Sequence, residues 1–306
     1  MEHIPAEKFK IIGIRPEESE EIVHPQISYL QDVWRRFRQN RIALVALIIL
    51  IFLTLLVVFG PSLSGYEFEA VDRTARNQFP SLKHWFGTDK LGRDLFARVA
   101  HGGRISLIIG LTGALISSTV GCIYGGISAY FGGIVDDVMM RIVEIIISVP
   151  YLIVVILLSV VLQSHGIFTL VLAMTLTGWC SIARLVRGQV LQIKSQEYIL
   201  AANALGVSPW KIIVRHLIPN TLSVVLVSIT FDIPGYIFSE AFLSYVGLGV
   251  QPPETSWGAL AAAAQTSFTF YPYQMFFPAL MIALTMLSFT LLGDGLRDAL
   301  DPRLRK

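Results

Sequence analysis

Nothing in this chain marks a catalytic centre. The phosphate-cradling pattern G-x-x-x-x-G-K-[ST] is absent, which excludes a P-loop nucleotide site. The six histidines (His3, His24, His84, His101, His165, His216) fall without zinc-ligand spacing. No serine or cysteine sits in a nucleophile motif. Cys122 and Cys180 both lie inside apolar runs and read as small buried residues, so cysteine usage does not report a redox compartment. Charge is scarce as well. Only 15% of residues are charged and the net charge is +2, which argues for no acidic partner. The first 30 residues are polar and acidic-rich with no apolar core segment, so no cleavable signal peptide is expected.

What the chain does have is apolar length. Hydrophobic residues make up 54% and the mean hydropathy is +0.62, far above the range of a soluble domain. Several apolar runs reach the roughly 20 residues a bilayer crossing needs. The fold class expected is therefore an all-α polytopic membrane protein with about six transmembrane helices, because a helix satisfies its own backbone in lipid. The spans are expected at about Ile42–Phe59, stopping at Gly60-Pro61; Arg104–Tyr130, rich in glycine and serine for close packing; a third span after the turn Phe131–Asp137, ending near Gln163 and kinked at Pro150; Ile167–Val190; Thr221–Val246; and Gln274–Leu292. Arg141 and Glu144, three apart, read as a structural pair. Arg184 and Arg187 read as snorkelling side chains.

Between the fourth and fifth spans lies a polar interruption, Lys194 to Asn220, which reads as two short helices. Ser195 is the expected N-cap of the first, with Glu197 favourable in its first turn. Gly206 after Leu205 is placed to end it in the left-handed conformation. Ser208 then caps the second helix, with Pro209 at its first position, and Pro219 ends that helix or kinks it. Tyr198, Ala201, Ala202 and Leu205 recur at helical spacing and share one face. The small residues at its centre would let another surface approach closely. Helix–Gly–helix is also the outline of a DNA-binding helix-turn-helix, but this second helix is mostly apolar and spans hold both ends. Nucleic-acid binding is not expected.

This stretch resembles the cytoplasmic coupling segment, EAA…G…P, of permease subunits in binding-protein-dependent ABC importers. Ala201, Ala202, Gly206 and Pro219 stand at the motif positions. Leu200 replaces its glutamate, and His216 and Ile218 replace the usual isoleucine and leucine. A second pattern, FGTD-x-x-GRD from Phe86 to Asp94, resembles the C-type permease of the dipeptide and oligopeptide importers, as do EAFLSYVGLG from Glu240 and the ending GDGLRDALDPRLRK. The resemblance covers the chain from about Trp34 onward. It implies the type I importer transmembrane fold with both termini cytoplasmic, in a bacterial cytoplasmic membrane. It also implies a division into a leader (1–40), the first span with an extracytoplasmic segment (41–103), a transmembrane domain (104–294) containing the coupling segment 194–220, and a tail (295–306).

The resemblance implies a second homologous permease as heterodimer partner and two cytoplasmic ATPase subunits. An extracytoplasmic binding protein would deliver a peptide, with oligopeptides favoured over dipeptides or metal chelates. No cofactor is expected in this chain; ATP and Mg²⁺ would be bound by the ATPases. Charge supports the orientation. The loops at 164–166 and 248–273 hold no Lys or Arg, whereas Lys194, Lys211 and Arg215 lie on the side assigned as internal. Residues 61–103 disagree, carrying Arg73, Arg76, Lys83, Lys90, Arg93 and Arg98 on the outer side; around Gly87 and Gly92 they read as a tight, charge-paired turn.

Asp232 and Glu240 in the fifth span are intramembrane acids, and so functional candidates. They flank Pro234-Gly235, which is expected to loosen or break the helix. Eight residues apart on a regular helix, they face within roughly 80° of each other. They either line a polar path or bond neighbouring helices. A relay in a proton-coupled secondary transporter is the rival reading. A membrane-embedded enzyme or signalling scaffold is a third class, and the lack of a catalytic cluster counts against it.

Overall fold

The computed structural model describes residues 28–164 and 166–301. The described residues are helical, with eleven α-helices and no strand. Five helices are long and apolar enough to cross a membrane, or six when the bent pair Gly133–Ser148 and Tyr151–Leu162 counts as one span. They are α2 (Arg41–Ser64), α3 (Leu95–Phe131), the pair α4 (Gly133–Ser148) and α5 (Tyr151–Leu162), α6 (Ile167–Lys194), α9 (Ile218–Tyr245, continuous with the turns before it) and α11 (Tyr273–Leu300). Most of the leader, residues 1–27, and the basic residues Arg303, Arg305 and Lys306 lie outside the described residues. The leader's end is α1 (Tyr29–Gln39), started by a capping box between Ser28 and Gln31.

Several boundaries differ from expectation, each for a local reason. The first span does not stop at Gly60-Pro61 but runs on to Ser64. Pro61 cannot bond the carbonyl four residues back. Arg104 supplies the missing donor, with Nε 3.0 Å from the Val57 carbonyl and Nη2 2.6 Å from that of Val58. The second span starts at Leu95, nine residues before Arg104, because Asp94 N-caps it: its Oδ1 accepts from the Ala97 amide at 2.8 Å. The third span is not merely kinked at Pro150; its halves meet at 83°. The last helix reaches Leu300, so residues assigned to the tail continue α11.

Pro219 does not end the second short helix. Residues 209–245 form one continuous helical run, with a π-turn at Ile213–Leu217. There the Ile218 amide bonds the Ile213 carbonyl, five residues back. This wider turn makes room for a proline ring that an α-turn would press against the Arg215 carbonyl. Pro234-Gly235 does not break α9 either.

The glycine-rich face of α3 packs against α6. A Cβ on Gly125 would overlap the Ala183 carbonyl and come within 3.0 Å of the Arg187 backbone nitrogen. Cβ on Gly121 would lie 2.6 Å from Ile182. The small residues therefore set the approach of the two backbones, as expected. The turn after α2 is also charge-paired as expected. Gly87 and Gly92 have φ of +79° and +80°. Asp89 accepts from the Leu91 and Arg93 amides and from Arg93 Nε at 2.7 Å, with Arg98 Nε 3.8 Å away. Arg98 also bonds the Phe68 carbonyl. Two of the six cations that disagree with the charge rule thus serve local structure.

Candidate functional site

The polar interruption folds as two short helices, α7 (Glu197–Ala204) and α8 (Pro209–Ile212), joined at a glycine. Ser195 is not the N-cap. Its Oγ donates to the Gln192 carbonyl at 3.0 Å, which makes it the C-cap of α6, and Gln196 takes the N-cap position without a side-chain cap. Glu197 stands in the first turn as expected. Gly206 has φ of +74°. The Val207 amide bonds the Ala202 carbonyl at 3.1 Å and the Gly206 amide bonds that of Asn203 at 3.0 Å. This pair is the Schellman motif, and it fixes the angle between the helices. Ser208 occupies the next N-cap position without a side-chain bond, and Pro209 is the first residue of α8.

One face of this unit is open and the other is anchored. Tyr198, Leu200, Ala201 and Trp210 are exposed, and Leu205 is 83% exposed. Ala202 departs from the expected face: it is half-buried and packs on the core with Val207. Beneath lie Ile199, Ile212, Ile213 and Leu217, all buried against Ala129 of α3 and Val186 and Val190 of α6. Two polar ties reinforce the anchor. Lys194 Nζ donates to the Tyr130 carbonyl at 2.5 Å, at the negative end of α3. The Tyr130 hydroxyl donates to Asn203 Oδ1 at 3.0 Å. The buried core and the two polar ties thus join α7 to α3, α6 and α9. Tyr130 and Asn203 were not picked out from sequence, since neither carries a motif and they are distant in the chain.

A second feature runs along α9. Asn220, Val224, Ser228, Phe231, Gly235 and Ser239 follow one another at spacings of three and four, so they form one stripe. From Asn220 to Ser239 that stripe extends about 28 Å at 1.5 Å per residue, close to the roughly 30 Å of a hydrocarbon core. It lines two adjoining cavities that share Phe231. One, of about 610 Å³, lies between α9 and the end of α11 (Arg297, Leu300, Asp301). The other, of about 530 Å³, lies between α9, α6 and the Ser148–Tyr151 break. Asp232 lines this second cavity together with Thr177, Ser181, Tyr236 and Ser239.

Glu240 is placed elsewhere. Its carboxylate is completely buried among three serines: Oε2 accepts from Ser106 Oγ of α3 at 3.2 Å, and Oε1 from Ser244 at 2.7 Å and Ser256 at 2.5 Å. Ser256 is the N-cap of α10 (Trp257–Ala264). Glu240 therefore joins α3, α9 and α10, and the two intramembrane acids do not share a site. The snorkelling expected of Arg187 is also replaced by a bond, since its guanidinium grips Asp136 of α4. Among the described residues, no group of three or more His, Cys, Asp or Glu could hold a metal ion.

Residues 102–306 match the family model described as binding-protein-dependent transport system inner membrane component. Residues 28–80 match that of the N-terminal TM domain of oligopeptide transport permease C. The chain is 47% identical to the dipeptide transport system permease protein DppC of Bacillus subtilis, over 99% of this chain and 95% of the relative. It is 46% identical to the oligopeptide transport system permease protein OppC of the same organism, over the full length of both. Against OppC of Escherichia coli K12 the identity is 44%, over 90% of this chain and 92% of the relative. Among solved structures, an inward-facing MetNI methionine ABC transporter chain shares the fold, with a TM-score of 0.55 and 19% identity over 67% of this chain and 96% of that chain.

Proposed function

Because this chain belongs to the family of binding-protein-dependent transport system inner membrane components, we propose that it is the C-type permease subunit of an ATP-driven ABC importer of peptides. In this reading it forms half of a translocation path in a bacterial cytoplasmic membrane, with both termini inside. A second, homologous permease supplies the other half. Two cytoplasmic ATPases bind ATP and Mg²⁺, and an extracytoplasmic binding protein delivers the cargo. The match of residues 28–80 to the N-terminal TM domain of oligopeptide transport permease C supports longer peptides as cargo; overall identity does not discriminate, at 46% to the oligopeptide and 47% to the dipeptide relative.

The observation that carries the reading is the exposed α7–Gly206–α8 unit seated on a buried core. An open apolar knob (Leu205, Trp210, Tyr198) fits docking into a groove on another protein. The anchored side would convert that protein's movement into a shift of α3, α6 and α9. A ligand that biases two states must bind one better by several kcal/mol, about 5.5 kcal/mol to reverse a 1:99 population. The docked ATPase, cycling through ATP binding and hydrolysis, would supply that bias here.

The test is Leu205→Asp, alone and with Trp210→Asp, in the co-expressed transporter. The ATPase should no longer co-purify and peptide uptake should stop, while the permease remains inserted and paired. Retention of both ATPase and uptake would place the docking surface elsewhere.

A further inference from the structure

One acid in the path remains without a role in the reading above. Asp232 lies 14 residues past the start of α9 and 13 before its end, near the middle of the span expected from sequence at Thr221–Val246. Its side chain lines the cavity between α9, α6 and the α4–α5 break. Among the described residues, its carboxylate has no hydrogen-bond donor and no cationic partner; Tyr236 lines the same cavity. That is unusual for an acid at this depth, where carboxylates are rare and almost always paired. Glu240, one face over, shows the ordinary solution with its three serine donors.

The wall around Asp232 is built to receive something. Among the described residues, no Lys or Arg lines the cavity, and Asp232 is the one acid in its wall. Thr177, Ser181 and Ser239 place hydroxyls in the same wall. The Tyr151 hydroxyl, also on this wall, is buried without a partner. The volume, about 530 Å³, falls within the roughly 300–1,000 Å³ of small-ligand sites. One carboxylate with hydroxyls is a poor cage for a hard divalent ion, which takes six or more oxygens or several carboxylates. It matches a primary ammonium, which has three donors and one charge.

Resting on the peptide-import reading, we propose that Asp232 receives the α-ammonium group of a peptide in transit, with the surrounding hydroxyls completing its three hydrogen bonds. Every peptide with a free N-terminus carries that group, whatever its side chains. One charged contact at mid-membrane would then hold diverse peptides in a common orientation without reading their sequence. Phe231, which lines both cavities, would stand beside the next residue of the cargo.

The assembled transporter in nanodiscs, without its binding protein, tests this by equilibrium binding of tetra-alanine and N-acetyl-tetra-alanine. The wild-type complex should bind the free amine tighter by roughly tenfold or more, the low end for a charge-assisted hydrogen bond. Asp232→Asn should bring the ratio to about one, and Asp232→Glu should retain part of it. If Asp232→Asn fails to assemble, Asp232→Ser takes its place. No discrimination by the wild type, the same ratio in the variant, or no measurable binding of either peptide would each overturn the proposal. Binding-protein-dependent uptake of tetra-alanine by wild-type proteoliposomes is measured alongside. Its absence would sink the importer reading itself, a different failure.

Discussion

Arg187 on α6 grips both carboxylate oxygens of Asp136 on α4, with Nε 2.6 Å from Oδ1 and Nη2 2.5 Å from Oδ2. Ser128 of α3 donates to the same carboxylate. Three helices thus converge on one acid near the end of the bundle that carries the α7–Gly206–α8 unit. The fork-to-fork geometry is the strong form of an ion pair, but the Arg187 side chain is 35% exposed, which limits its worth through solvent screening. Arg187→Met should destabilise the purified complex by about 1–2 kcal/mol, at the modest end for hydrogen bonds to charged groups. Asp136→Asn should cost less, because its amide oxygen still accepts. The double variant should cost less than the sum of the two, as residues in contact do not add. Thermal unfolding of the four proteins closes the cycle; strict additivity would mean that the pair contributes nothing.

Gly206 offers a cleaner test of shape, because nothing lies within 4 Å of where its Cβ would be. Any cost of substitution therefore comes from the backbone, held at φ +74°. Left-handed conformation costs L-residues roughly 1–2 kcal/mol, and asparagine tolerates it best. Gly206→Asn should keep most transport, Gly206→Ala less, and Gly206→Val should abolish it while the protein remains inserted. Uptake rates that fail to follow this order would mean that the Schellman turn does not set the coupling geometry.

The helical class, the spans and the two short helices between Lys194 and Asn220 were legible because they rest on local rules. Apolar runs, proline at a first helical position and glycine after Leu205 act within one or two turns of chain. What was not legible depends on partners far apart. Pro61 reads as a stop until Arg104, 43 positions on, is seen to satisfy the carbonyl it leaves free. Pro219 reads as an end or a kink because a π-turn has no sequence signature. Ser195 reads as an N-cap because serine suits either end of a helix junction, and only the bond to Gln192 decides. For the candidate path, Asp232 and Glu240 look alike in sequence. Their environments separate them: one faces a cavity and the other three hydroxyls.

The α3–α6 contact predicts a steep size dependence at Gly125. A methyl there would overlap the Ala183 carbonyl, part of a backbone that cannot rotate away. Overpacking typically costs about 1–3 kcal/mol. Gly125→Ala should lower the thermal midpoint of the complex clearly, and Gly125→Leu should prevent its assembly. Gly188 has open space where its Cβ would go, so Gly188→Ala serves as the matched control. Equal behaviour of the two alanine variants would rule out a close backbone approach at Gly125.

Glu240 should respond to substitution in a way that reveals its charge state. Ser106 Oγ already accepts from the Trp257 amide at 3.2 Å, and Ser256 Oγ from the Ala259 amide at 3.0 Å. Each of these two hydroxyls keeps its own proton to donate to Glu240. A carboxylate accepting several hydroxyl bonds explains how this acid is buried without a cation. Glu240→Gln replaces one acceptor oxygen with a donor that meets a hydroxyl already pointing inward. Glu240→Ala removes both acceptors and leaves a cavity. The alanine variant should lose about 2–4 kcal/mol, combining unsatisfied donors with lost packing, and glutamine roughly half of that. Ser106→Ala, which deletes one donor and leaves the Trp257 amide unpaired, should be milder than either. Unfolding midpoints in that order would fix Glu240 as the clasp between α3, α9 and α10. A glutamine variant as stable as wild type would mean that the group is protonated in the folded protein.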